Sequence, residues 1–151
     1  MFSLKDKIIL ITGSTGYLGR AMSEGLAKMG AKVFINGRNK NSVNRTVDSL
    51  IKKGYQAKPA IFDITDYKQV KMFFSNFDED VIDVLLINAY NGKGGTTSTS
   101  SKQDFRDSYE ISMIATHNLF QNSLPYLQSA KKQNGDASVI NIASMYGMVS
   151  P

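Results

Sequence analysis

The residues with the clearest chemical potential form a glycine-rich loop near the N-terminus. Residues 12–19 read Thr-Gly-Ser-Thr-Gly-Tyr-Leu-Gly, so Gly13, Gly16 and Gly19 follow one another at intervals of three. Glycine permits a tight turn and a close backbone approach, and free N–H groups at the start of a helix attract phosphate. The loop therefore predicts a dinucleotide site. Gly13 makes the turn, Gly16 admits the pyrophosphate and Gly19 lets the helix pack closely.

That interpretation needs a strand before the loop and a helix after it. Ile8–Ile11 is a continuous apolar run, which is typical of a strand covered on both faces. Apolar residues then recur at helical spacing over residues 17–29, and Gly30 is expected to end that helix. Both elements are present, so the glycine spacing has the context that it requires.

The rest of the chain alternates short apolar runs with longer amphipathic ones. Strands are expected at 33–35, 60–62, 84–87 and 139–143, and helices around 43–51, 70–77 and 102–128. Residues 91–101 contain no apolar side chain and are interpreted as a surface loop. One side of the last helix carries Phe105, Tyr109, Ser112, Met113, Thr116 and Phe120. The alternation predicts an α/β fold with a Rossmann-like, doubly wound parallel sheet.

Composition excludes several classes of function. The 151 residues include no cysteine and one histidine, which argues against disulfides, thiolate metal sites and a histidine-based hydrolytic triad. The net charge of +5 is spread over the chain without a basic stripe, so no nucleic-acid partner is expected. No apolar run approaches the roughly 18 residues of a membrane span. We expect one cytoplasmic domain with no membrane partner.

Three further motifs follow the glycine loop in a familiar order. Asp63 comes after the third predicted strand, Asn88-Ala89-Tyr90 after the fourth, and Asn141–Ser144 ends the fifth. Together with the loop they make the whole chain resemble the short-chain dehydrogenase/reductase family. The loop spacing is nearer the extended members, and Ile87 and Tyr90 depart from the family's Asn-Asn-Ala-Gly signature. The resemblance implies the strand order 3-2-1-4-5.

The resemblance also assigns residues to the cofactor. Asp63 matches the acidic residue that contacts the adenine ring, and Asn88 matches the signature asparagine. The implied cofactor-binding set is Gly13, Ser14, Thr15, Gly16, Tyr17, Leu18, Gly19, Arg38, Asp63, Ile64, Asn88, Ala89 and Tyr90.

The choice of nicotinamide cofactor depends on the end of the second strand. An NAD enzyme usually places a carboxylate there, but this chain has Asn36-Gly37-Arg38-Asn39. A carboxylate would repel a 2′-phosphate, whereas a guanidinium binds it with paired hydrogen bonds. We predict NADP(H), with NAD(H) as the alternative and a solvated turn as the other role for Arg38.

The family's catalytic residues are only partly represented. Ser144 matches the serine that hydrogen-bonds the substrate carbonyl, and alignment on Leu124-Pro125 puts Ser112 where the family has an asparagine that supports a water relay. The tyrosine–lysine pair that should follow on the next helix is not reached before Pro151. A lysine is needed there to lower the tyrosine pKa from its usual value near 10. We therefore expect a fragment of a longer single-domain oxidoreductase, itself without turnover.

The resemblance implies hydride transfer between a nicotinamide and a carbonyl or alcohol, in a protein that forms homo-oligomers. The segment 143–151 looks like members that serve bacterial surface-carbohydrate or flagellin-glycan synthesis, and fatty-acyl or general ketone reduction stays equally open. Two other classes also remain: a non-catalytic or redox-sensing dinucleotide binder, and a flavodoxin-like phosphate-binding domain.

Overall fold

A five-stranded parallel sheet organises the chain, seen in a computed structural model that describes residues 3–90, 96 and 98–144. The strands are β1 (Ile8–Ile11), β2 (Lys32–Gly37), β3 (Ala57–Ile61), β4 (Val84–Ile87) and β5 (Ser138–Asn141). Their order in the sheet is 3-2-1-4-5, and every neighbouring pair is parallel. The predicted fold class and strand order are confirmed.

Helices connect the strands across both faces of the sheet. They are α1 (Tyr17–Lys28), α2 (Lys40–Lys52), α3 (Tyr67–Ser75), α4 (Lys102–Tyr109) and α5 (Thr116–Asn134), and a π-helical turn (Glu110–Ala115) joins the last two. Side chains start α2 and α3: Asn39 accepts from the backbone N–H of Ser42, and Asp66 from those of Lys68 and Gln69. In the described part, no helix is long and apolar enough to cross a bilayer.

The two faces of β1 supply the centres of two separate hydrophobic layers. Ile8 and Leu10 pack with residues of α3 and α5, whereas Ile9 and Ile11 pack with residues of α1 and α2. All four side chains are buried. This two-sided burial is the reason that the strand reads as an uninterrupted apolar run.

The two edge strands differ in composition. β3 begins at Ala57, three residues before its predicted start. The prediction missed its first residues because Lys58 and Pro59 interrupt the apolar pattern. Pro59 has no N–H group to offer at this edge. At the opposite edge, β5 pairs only with β4 in the described part, and Val139 and Ile140 are both about half exposed.

The long predicted helix is interrupted, and only part of the side that carries its aromatic residues is buried. Its apolar core residues include Ile111, Ala115, Leu119 and Leu127, whereas Tyr109 is 52% exposed. On the side that carries the aromatic residues, Phe120 packs against the core, whereas Phe105 and Met113 are exposed like Tyr109. The helix has apolar residues on two faces, and small residues such as Ala115 let it approach the sheet closely. Residues 91–95 and 97 of the predicted loop lie outside the described residues.

A buried carboxylate, Asp83, joins the amino ends of the central strands. Its Oδ2 accepts the backbone N–H of Ile8 at 2.8 Å, and its Oδ1 accepts from Lys7 Nζ at 2.9 Å and Asn134 Nδ2 at 2.8 Å. Its backbone also bonds to β1 and to Ser138 of β5. One side chain thus connects β1, β4 and the end of α5.

These hydrogen bonds control the charge state of Asp83. Burial by itself would raise the pKa of this carboxyl, but the bonds from Ile8, Lys7 and Asn134 outweigh it and hold the pKa below its ordinary value. A carboxyl whose pKa falls on folding contributes stability that is present above its unfolded pKa, near 4. That contribution is lost as the pH falls through the folded pKa.

We expect Asp83→Asn to lower the free energy of unfolding at pH 7 by about 2 kcal/mol, because an amide leaves buried donors without their acceptor. The variant should also show a flatter loss of stability between about pH 5 and pH 2. Urea denaturation across that range measures both effects. Asp80→Asn, the same change at an exposed carboxylate nearby, is the control. Equal stability of the two variants would contradict the role given to Asp83.

Candidate functional site

A cavity of about 690 Å³ opens at the carboxyl ends of the strands, where ligands of parallel α/β sheets bind. It lies across the point where the strand order reverses, between β1 and β4. Its walls come from the segments after β1, β2, β3 and β4 and from the helix that begins at Lys102. The lining includes all but one of the predicted cofactor residues: Gly13, Thr15, Gly16, Tyr17, Leu18, Gly19, Arg38, Asp63, Ile64, Asn88, Ala89 and Tyr90.

The three glycines of the loop meet different constraints. Gly13 has a positive φ of 63°, and a Cβ there would lie 2.9 Å from Cα of Ala89. A Cβ on Gly19 would lie 2.2 Å from the carbonyl oxygen of Gly13. A Cβ on Gly16 would meet that same oxygen only at 3.4 Å, an ordinary contact. The chain itself therefore demands glycine at 13 and 19, whereas Gly16 leaves open space on the cavity side.

The N-terminus of α1 points unpaired N–H groups at this space. Gly16 is the N-cap residue, makes no side-chain cap and is followed by no acidic residue in the first turn. Within the described residues, the backbone N–H groups of Tyr17, Leu18 and Gly19 have no acceptor. Three free donors and the positive end of a helix dipole make a site for an anion such as phosphate.

Asn88 and Thr12 hold the loop in place. Nδ2 of Asn88 donates to the carbonyl oxygens of Thr12 at 3.1 Å and Gly13 at 3.3 Å. In return, the buried hydroxyl oxygen of Thr12 accepts the backbone N–H groups of Asn88 at 2.9 Å and Ala89 at 3.0 Å. The end of β4 is thereby bonded to the glycine loop. Sequence reasoning included Thr12 in the motif but missed its positioning role.

Ser14 is the one predicted cofactor residue that does not line the cavity. Its hydroxyl is fully buried, donates to the carbonyl of Ile11 and accepts the backbone N–H of Asn36 at 2.9 Å. Its own N–H donates to the carbonyl of Asn36 at 3.0 Å. The polar groups of Ser14 are thus directed into the protein, and they join the loop to β2.

Arg38 and Asp63 stand together at the β2–β3 side of the cavity. Nη1 of Arg38 lies 3.6 Å from Oδ2 of Asp63, while Oδ1 of Asp63 accepts from the N–H and the hydroxyl of Thr65. Behind them, the buried Asn36 donates from Nδ2 to the carbonyls of Ala60 and Phe62, both at 3.0 Å. This bridge between β2 and β3 had no signal in the sequence beyond a polar residue at the end of an apolar strand.

Acidic residues of the segment that begins at Lys102 also line the cavity. Asp104, Asp107 and Glu110 of the long helix face the cavity, and Asp104 forms a capping box with Ser101. Acids in the first turns of a helix offset its dipole, and the capping box agrees with that role, but their place on the cavity wall was not predicted. Among the lining residues that the structure describes, Arg38 is the only cation. No metal-binding cluster occurs in the described part of the chain.

The structure does not bring the predicted catalytic residues into the cavity lining. Ser112 lies in the π-helical turn and is exposed, although its neighbours Glu110 and Ile111 line the cavity. Ser144 is exposed and also stands apart from the lining. Residues 145–151, including Tyr146, lie outside the described residues. The roles given to Ser144 and Ser112 stay predictions.

Sequence reasoning overlooked one tyrosine that has a lysine four residues on. Tyr67 and Lys71 have this spacing on α3. Neither residue lines the cavity. The pair therefore lacks the position that proton transfer to a bound ligand requires.

Comparison with known proteins identifies the family. The family model described as short chain dehydrogenase matches residues 7–151. The chain belongs to this family, and its flavodoxin-like alternative is set aside.

Two curated relatives are named for reactions of gluconate derivatives. The chain is 30% identical to 5-keto-D-gluconate 5-reductase of Escherichia coli K12 over 147 residues, or 96% of this chain and 56% of that protein. It is 31% identical to 2-dehydro-3-deoxy-D-gluconate 5-dehydrogenase of Formosa agariphila over 151 residues, with 96% and 54% covered. The chain spans about half the length of the curated relatives it matches.

Solved structures share the fold. RhlG of Pseudomonas aeruginosa in its complex with NADP has a TM-score of 0.88 at 26% identity, covering 99% of this chain and 59% of that one. A 7α-hydroxysteroid dehydrogenase with NADH and 7-oxo glycochenodeoxycholic acid has a TM-score of 0.86 at 26% identity, covering 100% and 60%. These neighbours thus include complexes with either nicotinamide cofactor.

We expect Gly19→Ala to lower the free energy of unfolding by about 3 kcal/mol, because its methyl group would overlap the Gly13 carbonyl. Gly16→Ala should cost at most about 1 kcal/mol, since only the N-cap preference changes. The control is Gly25→Ala in α1, where a Cβ meets nothing and stability should rise slightly. Urea denaturation ranks the free energies of unfolding of the three variants. A Gly19→Ala protein as stable as the wild type would contradict the close contact between Gly19 and the Gly13 carbonyl.

Proposed function

We propose that this chain binds NADP(H) in the 690 Å³ cavity and forms the dinucleotide-binding part of an oxidoreductase. The observation that carries the proposal is the set of free N–H groups at Tyr17, Leu18 and Gly19, beside the open space at Gly16. A pyrophosphate would fill that space and accept from those groups. The cavity volume is within the roughly 300–1,000 Å³ range of sites for small ligands and cofactors.

The preference for NADP(H) over NAD(H) is proposed from Arg38. Its guanidinium is 61% exposed and stands 3.6 Å from the Asp63 carboxylate, so it is available at the adenosine side of the cavity. A 2′-phosphate there would find a cation in place of the carboxylate that NAD enzymes use. The other charged residues of the lining are acidic, namely Asp63 beside Arg38 and the three acids of the segment that begins at Lys102. Arg38 would therefore carry much of the attraction for the extra phosphate.

We expect Arg38→Ala to weaken NADP⁺ binding roughly 10- to 100-fold, as loss of a charge-assisted hydrogen bond predicts, and to leave NAD⁺ binding nearly unchanged. Isothermal titration calorimetry with both nucleotides measures the two Kd values. The control is Arg45→Ala, an exposed arginine of α2 outside the cavity lining.

The same titrations test the dinucleotide site itself. Gly16→Ala should bind neither nucleotide well, although it folds, because the methyl group enters the phosphate space. An NADP preference that survives in Arg38→Ala removes the proposed basis of cofactor choice. Wild-type protein that is folded but binds no pyridine nucleotide removes the proposed function.

For the whole protein we propose hydride transfer between the nicotinamide and a carbonyl or secondary alcohol. The sugar-acid substrates in the names of the relatives support a polyhydroxylated ketone as the substrate class. Ser144 would hold the carbonyl oxygen by a hydrogen bond, and Ser112 would support proton relay. The described residues offer no tyrosine–lysine pair at the cavity, so the 151-residue chain is expected to bind cofactor without turnover. The surface-carbohydrate and cytoplasmic assignments stay predictions.

We also propose that the protein self-associates through the long helix. Phe105, Tyr109 and Met113 are each more than half exposed and follow one another at spacings of four along α4 and the π-helical turn. A row of large apolar side chains in water is typical of an interface. The row thus supports the homo-oligomer predicted for the whole protein.

We expect light scattering to give a mass above the monomer value of 16.7 kDa at high concentration. Met113→Lys should shift the mass toward that value, because a buried charge opposes apolar contact. Met72→Lys, at an equally exposed methionine of α3, is the control and should change nothing. A wild-type protein that stays monomeric contradicts the proposal.

A further inference from the structure

Two tyrosines on the cavity wall have no structural role among the residues that the structure describes. Tyr17 is 92% exposed and Tyr90 is 66% exposed, and both line the cavity. Within the described residues, the only tyrosine hydroxyl that forms a hydrogen bond is that of Tyr126, to the carbonyl of Phe74. Neither the ring of Tyr17 nor that of Tyr90 contacts another aromatic ring. Truncation of either side chain should therefore leave the fold intact.

The strand order places these rings on one half of the cavity. Arg38 follows β2, the glycine loop follows β1, and Tyr90 follows β4. Because β1 lies between β2 and β4, Arg38 and Tyr90 stand on opposite sides of the loop, about two strand spacings or roughly 10 Å apart. The end of β4 adjoins the loop directly, since a Cβ on Gly13 would touch Ala89, the residue before Tyr90.

A dinucleotide has a ring system on each side of its pyrophosphate. With the pyrophosphate at the start of α1 and the adenosine 2′-phosphate at Arg38, the nicotinamide extends toward the β4 side. The wall on that side presents Tyr90, and Tyr17 projects from the first residue of α1. Flat aromatic side chains gain favourable contact with flat rings by offset or edge-to-face stacking.

Resting on the proposed function, we propose that Tyr17 and Tyr90 are binding residues for the nicotinamide half of the cofactor, with Tyr90 stacking against the nicotinamide ring. The contact orients the redox-active ring and covers it from water on the β4 side. The hydroxyl groups are not needed for this role. It differs from that of Arg38, which acts on the adenosine half.

The test compares two ligands that differ only in the ring at issue. NADPH contains the nicotinamide, whereas 2′-phospho-ADP-ribose keeps the adenosine 2′-phosphate and the pyrophosphate without it. Tyr90→Ala should weaken NADPH binding roughly 5- to 100-fold, the range for loss of an aromatic stacking partner, and change the fragment's Kd less than twofold. Tyr17→Ala should act in the same direction. Tyr90→Phe should keep wild-type affinity for both ligands.

The control is Tyr67→Ala, a half-exposed tyrosine outside the cavity lining, which should bind both ligands normally. The chain contains no tryptophan, so quenching of tyrosine emission by NADPH gives a second readout that should diminish in Tyr90→Ala. Unchanged NADPH affinity in Tyr90→Ala overturns the inference. So does an equal loss for both ligands, or a loss in Tyr90→Phe. Wild-type protein that binds neither ligand overturns the proposed function and this inference with it.

Discussion

The hydrogen bonds between Asn88 and the glycine loop are the interaction on which the site depends. They join the carbonyls of Thr12 and Gly13 to the end of β4, and the Thr12 hydroxyl returns two bonds to the same segment. On the other side, Ser14 bonds the loop to β2 through Asn36. The loop is therefore held from both neighbouring strands, so the N–H groups of α1 keep a constant direction toward the cavity.

The residues that fix the backbone of the loop are different from those that face the cavity. Thr12, Ser14 and Asn36 are buried, and their side chains form hydrogen bonds with backbone atoms of the loop and strands. By contrast, the open side of Gly16 and the side chain of Tyr17 face the cavity. The cavity-facing positions can therefore change without loss of the backbone geometry, which the buried positions maintain. Asp83 fixes the opposite ends of the same strands, so the sheet is braced at both ends.

Much of the fold could be predicted because its strands are covered on both faces. The runs Ile8–Ile11 and Val84–Ile87 coincide with β1 and β4, since central strands of a parallel sheet have no polar face to interrupt the pattern. The start of β3 could not be predicted, because an edge strand tolerates Lys58 and Pro59. The π-helical turn also has no sequence signature, since it changes hydrogen bonding without changing composition.

The glycine positions of the loop could be read from the sequence because residue type and backbone conformation agree there. A positive φ at Gly13 and a tight contact at Gly19 require glycine, so the spacing was informative. Ser14 shows the limit: a serine in a phosphate-binding loop suggests a ligand contact, but its hydroxyl faces inward. Ion pairs between distant residues, such as Lys32 with Glu79, depend on the tertiary fold and left no local pattern.

The two edge strands of the sheet differ in their ability to pair with a further strand. Pro59 interrupts the row of donors along β3, and the Lys58 ammonium beside it is paired with Asp78 and Glu79. β5 has no proline in Ser138–Asn141 and presents half-exposed Val139 and Ile140. A further strand, whatever its source, would find a continuous hydrogen-bonding template only along β5. Extension of this sheet is consequently directional, proceeding away from β3 and from the Arg38 side of the cavity.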